Sequence, residues 1–258
     1  MNQIQRFYHW IASSAPIFKP QGPFVSLQDL VAGPLQDEEG YAGNPRLGFV
    51  YQHLCSKLLA NSEQYEIVLE EAQLNRENGQ TLGAIDLIVN NQWLNQLEHW
   101  EVAIKFYLLY QGSWYGPNAH DQLDKKLARM LSHQLKMSTS DEFIRRFPHL
   151  NVASEQLLMQ GRLYINPFLT EPVPHSCLGY ALDPEQITGF WCFRSQWEHI
   201  AEPVFKLEKP YWATGLSQYS HPASCPDDEF IHAQTRDGQF WFIVPDDWPN
   251  NPGKQSKS

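Results

Sequence analysis

The sequence lacks any apolar run near the roughly 20 residues that a bilayer-crossing helix needs. The opening MNQIQRFYHW has neither the long apolar core nor the cleavage site of a secretory signal. Both absences predict a soluble, cytoplasmic protein with no membrane partner. The four cysteines, Cys55, Cys177, Cys192 and Cys225, form no CxxC pair and no tight framework, so free thiols in a reducing compartment are expected. Basic charge is short, with 19 Lys and Arg against 29 Asp and Glu and a pI near 5.4. That balance excludes a chain that coats nucleic acid by its global field, and leaves a local basic patch or a bound cation as the route to a phosphate backbone. Glycine-rich phosphate loops and a G-x-S-x-G elbow are missing, as are internal repeats. His175, Cys177, Cys192, His199 and Cys225 follow no regular zinc spacing.

What is present is apolar and aromatic. The chain of 258 residues is 42% hydrophobic and 13% aromatic, with nine tryptophans. A chain of this size buries about 70–75% of its unfolded surface, so it needs no staple to fold. Ile4, Phe7, Tyr8 and Ile11 mark a short amphipathic helix over residues 1–12. Leu47, Val50, Tyr51, Leu54 and Leu58 recur at helical spacing and predict a second, over 46–59. Strands are predicted over 65–69, 81–89 and 98–109, linked by the turns NRENGQ and NNQ into an antiparallel meander. Gly116-Pro117-Asn118 breaks the pattern, and Asn118 with Asp121 resembles a cap for a helix through Leu135. A strand over 161–168 returns to the sheet after this crossover. Beyond Pro172 prolines and aromatics dominate, with ITGFWCF and a hairpin turned at Asp237-Gly238. Trp191, Trp197, Trp212 and Trp241 read as core. The expected domains are a core over 1–170, a smaller region over 171–250 packed on it, and a disordered tail over 251–258.

The second and third strands, in TLGAIDLIVNNQWLNQLEHWEVAIKFYLLY, carry charges inside otherwise apolar runs: Asp86, then Glu101 and Lys105. Burying an unpaired charge is costly, so each needs a reason. Alternate residues of a strand share a face, which puts Glu101, small Ala103 and Lys105 on one side, with Asp86 one strand away. Two carboxylates suit a hard cation such as Mg²⁺, and a nearby lysine suits the orientation of an attacking water. The structural alternative is a Glu101–Lys105 salt bridge with Asp86 near solvent.

LGAIDLIV followed by EVAIKF resembles the core of the PD-(D/E)xK nuclease superfamily. The larger pattern, RLGFVYQHL, TLGAIDLIV, HWEVAIKFYL, WYGPNAHDQLDKKLARMLSHQL, GRLYINP and FIVPDDWP, resembles a bacterial family of uncharacterised proteins placed in that superfamily. The resemblance implies an α/β fold with a restriction-endonuclease-like core, a mixed sheet built from the meander and a crossover helix, and a smaller aromatic-rich C-terminal region. It implies Asp86 and Glu101 as ligands of Mg²⁺ or Mn²⁺ and Lys105 as the catalytic lysine. Two positions differ from the usual pattern. Ala103 stands two residues before Lys105, where the superfamily has its acid, and Gln52 stands where a first-helix acid is often found.

Asp121, Lys125, Arg129 and His133 lie four apart, a polar stripe opposite Leu123, Leu127, Leu131 and Leu135. With Lys126 beside it, the stripe suits a phosphate backbone; the alternative is a solvated face with an Asp121–Lys125 pair. By resemblance, Gln134 is the helix glutamine that supports the active site. The expected function is metal-dependent phosphodiester hydrolysis on nucleic acid, with substrate held by Lys125, Arg129, His133 and Gln134. The rival is a non-catalytic module that keeps this fold to bind nucleic acid or protein.

Overall fold

Helix α1, Gln3–Ser13, begins at the capping pair written in the first five residues. In this computed structural model, which describes residues 1–35 and 41–250, the Asn2 side chain accepts the Gln5 N–H at 2.9 Å. The Gln5 side chain in turn accepts the Asn2 N–H at 3.0 Å, so two orphan donors are satisfied reciprocally. Helix α2, Leu47–Ala60, buries Val50, Tyr51, Leu54, Leu58 and Leu59, each worth about 1.5–3 kcal/mol as apolar surface leaves water. Tyr51 Oη also donates to Gln160 Oε1 at 2.8 Å. The tail 251–258 lies outside the described residues.

The meander follows as predicted in order but longer: β1 is Tyr65–Asn75, β2 Thr81–Asn91 and β3 Gln96–Tyr110, antiparallel throughout. Strand β4, Ser113–Tyr115, pairs with the end of β3. Helix α3 is short, Leu123–Arg129, and passes into a π-helical turn, Met130–Gln134. A further helix, α4, Asp141–Arg146, is capped by Ser140, whose Oγ accepts the Phe143 N–H at 3.2 Å. Strand β5 runs from Val152 to Ile165. It starts well before the expected 161, in a stretch where Ser154, Glu155 and Gln156 hide the apolar alternation. After it come the small pair β6 (Ser176–Cys177) and β7 (Tyr180–Ala181), then β8 (Ile187–Phe193), β9 (Val204–Lys206), β10 (Ile231–Thr235) and β11 (Phe240–Val244). The expected hairpin is β10–β11, with Ile231 opposite Ile243 and Gly238 at φ +95° in its turn.

The architecture is mixed α/β, and the chain divides into two units, Met1–Ile104 with Leu127–Gln160 and Lys105–Lys126 with Gly161–Ser258. The first carries strand order β1-β2-β3-β5, and one of its cores gathers Ala72, Leu74, Ile85, Ile88, Met137 and Phe143. The second carries β3-β5-β8-β11-β10-β9 with β4 on β3. There β8 is parallel to both β5 and β11, and of the four tryptophans expected in the core Trp191 and Trp241 are buried while Trp197 and Trp212 are half-buried. Gly161 has φ +147°, and a Cβ there would sit 1.7 Å from the Lys105 carbonyl oxygen; no side chain fits. Among the described residues no helix is long and apolar enough to cross a membrane.

Candidate functional site

The candidate carboxylates lie in the first unit, where the ladder between β2 and β3 stops. The last paired residues are Leu87 and Trp100. One step further, side chains replace ladder bonds. Asp86 Oδ2 accepts the Val102 N–H at 2.9 Å, and Glu101 Oε1 lies 3.4 Å from the Asp86 N–H. Each carboxylate therefore binds the backbone of the strand carrying the other. Glu101 is fully buried and Asp86 half-buried, so Asp86 is the solvent-facing member.

Glu101 is held from two further sides. Gln134 Nε2 donates to Oε2 at 2.7 Å, and His99 Nε2 lies 3.0 Å from Oε1. On the far side of the imidazole, Nδ1 is 3.0 Å from Ser138 Oγ and 3.2 Å from the Leu135 carbonyl oxygen. A carboxylate oxygen only accepts, so Nε2 donates to Glu101; at Nδ1 the Ser138 hydroxyl can donate to a bare nitrogen, or the Leu135 carbonyl oxygen can accept from a second ring N–H. Glu101 thus accepts hydrogen bonds from Gln134 and His99 while a second carboxylate lies beside it.

Gln134 reaches Glu101 because the crossover helix is not a regular α-helix to Leu135. In the π-helical turn the Leu135 N–H bonds the Met130 carbonyl at 2.9 Å, a wider spiral that shifts the phase of every later side chain. The predicted four-apart stripe is therefore lost after Arg129. Lys125 and Arg129 are exposed, while His133 Nε2 turns to the Leu82 carbonyl oxygen at 3.3 Å. On α2, the groups that feel Asp86 are Tyr51 and Cys55. Burial first, then Cys55 and Asp86, push the Tyr51 hydroxyl well up. Burial, with a further contribution from Asp86, does the same to the Cys55 thiol, which is inert as a nucleophile. Gln52 is half-buried.

Lys105 belongs to the second unit and finds its counter-charge there, in Asp121: Nζ lies 2.6 Å from Oδ2. Tyr107 Oη donates to the same oxygen at 3.3 Å. The spacing put Asp121 on the helix, but α3 begins only at Leu123, and Asp121 pairs with Lys105 where the alternative reading had it pair with Lys125. The Gly116 N–H bonds the Asp121 carbonyl at 2.7 Å, the His120 N–H bonds Asn118 Oδ1 at 3.2 Å, and Ala119 is left-handed at φ +63°. The Gly-Pro-Asn segment thus closes a turn instead of capping α3.

The cysteines are free, and burial pushes the Cys192 thiol up to about 12. Among the described residues no three His, Cys, Asp or Glu side chains group as metal ligands. The donor set at β2–β3 is two carboxylates and one carboxamide. It fits Mg²⁺ or Mn²⁺, which take one or two carboxylates and complete their shell with water or phosphate, and does not fit zinc. An open surface cavity of about 640 Å³ lies elsewhere in the first unit, at the β1–β2 turn and α4, lined by Arg76, Glu77, Asn78, Asp141, Ile144 and Arg145. It includes none of the candidate residues, and Arg145 already pairs with Glu77; the carboxylate geometry is the better guide. Sequence reasoning missed His99, Ser138 and Tyr107. The available signal was alternation: His99 stands two before Glu101, and Tyr107 two after Lys105.

No curated protein and no solved structure matches the chain. One family model, described as a domain of unknown function (DUF1853), matches residues 6–239, nearly the whole chain, and the protein belongs to that family.

Proposed function

We propose that this protein is a bacterial, cytoplasmic, metal-dependent nuclease with a restriction-endonuclease-like core, hydrolysing phosphodiester bonds of nucleic acid. The observation that carries the reading is the meeting of Asp86 and Glu101 where β2 and β3 stop pairing, with Gln134 braced on Glu101. Asp86 and Glu101 would hold Mg²⁺ or Mn²⁺. A divalent cation there would offset charge on the phosphate and ease deprotonation of a water. Gln134 and His99 fix the Glu101 carboxylate, so that little reorganisation is needed when charge develops. Lys105, four residues along β3, would orient the attacking water, and exposed Lys125 and Arg129 would meet the backbone of the substrate.

Cleavage of a labelled oligonucleotide in Mg²⁺ or Mn²⁺ tests this. Wild type should cut, and Asp86→Asn, Glu101→Gln and Lys105→Met should each be slower by about a hundredfold or more. An equal residual rate in all four proteins would mean that the cleavage is not theirs. One observation favours the rival, a non-catalytic nucleic-acid- or protein-binding module. Glu101 Oε1, Glu101 Oε2 and Asp86 Oδ2 already accept protein hydrogen bonds, as structural carboxylates do. Binding of the oligonucleotide without cleavage in either cation would establish that rival.

A further inference from the structure

In the second unit, two donors converge on a single carboxylate oxygen. Lys105 Nζ is 2.6 Å and Tyr107 Oη 3.3 Å from Asp121 Oδ2. Tyr107 is fully buried, and Asp121 is the hydrogen-bond partner its hydroxyl has among the described residues. Burial first, then the Asp121 charge, raise the Tyr107 pKa, so the hydroxyl keeps its proton and must find an acceptor. The side chains of Lys105 and Asp121, by contrast, are 26% and 32% exposed. An ion pair so open to water is worth at most about 1 kcal/mol. The carboxylate also sits outside any helix, held through its backbone by Gly116. Rotation of one side chain would withdraw it without breaking that backbone bond.

The donors are permanent features of β3, whereas the acceptor is a solvent-open side chain on a turn. We propose that Lys105 and Tyr107 form an anion site for a phosphate oxygen, and that Asp121 fills it as a tethered substitute until phosphate arrives. The ammonium and the hydroxyl suit a phosphate oxygen as they suit a carboxylate oxygen. Asp121 then acts as an internal competitor, lowering affinity for stray anions and leaving a charged lysine ready when a backbone phosphate displaces it. The anion site stands on the second unit's geometry; only the source of the phosphate, a nucleic-acid backbone, rests on the nuclease reading.

The test is calorimetric titration with inorganic phosphate, and separately with a short oligothymidylate, on the full chain in EDTA. Asp121→Asn should bind both about tenfold more tightly than wild type, since a competing charged acceptor is removed. Asp124→Asn removes the same charge from an exposed neighbour and should change affinity by less than about threefold. Adding Tyr107→Phe to Asp121→Asn should abolish the gain. Equal affinities in Asp121→Asn and Asp124→Asn, or a gain that survives Tyr107→Phe, would overturn the site. A gain for phosphate alone would keep the site and overturn its assignment to a nucleic-acid backbone. If Asp121→Asn does not fold, wild type serves: saturating phosphate should slow acylation of the Lys105 amine relative to exposed Lys206, and no protection would overturn the proposal. Cleavage is measured in Mg²⁺ and this binding without it, so the two readings fail separately.

Discussion

Glu101 in the first unit and Arg162 in the second are both buried charges, and their surroundings differ in one decisive respect. Arg162 is enclosed by neutral acceptors. Its Nε donates to Thr188 Oγ1 at 3.1 Å, Nη1 to Tyr164 Oη and the Trp212 carbonyl oxygen, and Nη2 to the Ala213 carbonyl oxygen, each at 3.3 Å. The guanidinium lies 3.5 Å above the Phe240 ring centre. Its titratable neighbour, His232, is buried and held well below its ordinary pKa, by burial first and by Arg162 second. No second like charge is tolerated. Glu101 also accepts side-chain hydrogen bonds, from Gln134 and His99, yet it shares its place with Asp86, which is half-exposed to solvent. A buried charge is therefore not in itself a mark of function. A buried charge kept beside a like charge that water can reach is the stronger pointer to a site, even though each carboxylate here also binds the backbone of the strand carrying the other.

The largest effect expected from this contrast is on stability. Arg162→Met leaves two carbonyls and two hydroxyls without a donor, and should cost about 3–5 kcal/mol in denaturant unfolding. A loss under about 1 kcal/mol would mean that Arg162 is not the brace of its unit. A smaller effect concerns His232. Because it stays neutral in the folded state, only the unfolded chain takes up its proton as pH falls below 6.5. Stability should then fall with acidification below that pH, by at most about 1.4 kcal/mol per pH unit, and be flat in this respect above it. His232→Gln should lessen the slope, and an unchanged slope would show that other groups set it. The smallest effect is at Glu101. If the carboxylate serves a cation and not the fold, Glu101→Gln in the metal-free protein should change stability by less than about 1 kcal/mol, since Gln134 can turn its amide to suit. A loss of about 3–5 kcal/mol would instead identify a buried His99–Glu101 ion pair and a structural role.

Much of the frame was legible in the sequence. The amphipathic positions Ile4, Phe7, Tyr8 and Ile11, the helical stripe through Val50, Tyr51 and Leu54, the apolar run around Asp86 and the Asp-Gly turn of the last hairpin are all local signals. Two features were not local. The crossover helix read as one regular spiral from Asn118 to Leu135, but Ala119 adopts a left-handed conformation and a π-helical turn follows Arg129. Propensity does not announce that turn, which places Gln134 on Glu101. The start of β5 was hidden by its polar residues. At the site, Asp86 and Glu101 were readable as charges in apolar strands and Gln134 only through the resemblance, whereas the partnership of Lys105 with Asp121 depends on a turn closed by Gly116. His99 was overlooked because a histidine in a strand is usually core, and its link to Ser138 spans 39 positions. Glu98 is also buried, at the β2–β3 turn, where Asn91 and Trp100 donate to it at 2.8 Å.

The central claim is that Asp86 and Glu101 together attract a divalent cation, and a Mn²⁺ titration followed by the loss of the free-ion paramagnetic signal tests it most directly. Wild type should bind Mn²⁺ saturably, Mg²⁺ should compete, and Asp86→Asn and Glu101→Gln should each weaken binding at least about tenfold, while Asp124→Asn leaves it unchanged. No saturable binding in wild type, or binding indifferent to both substitutions, would contradict it.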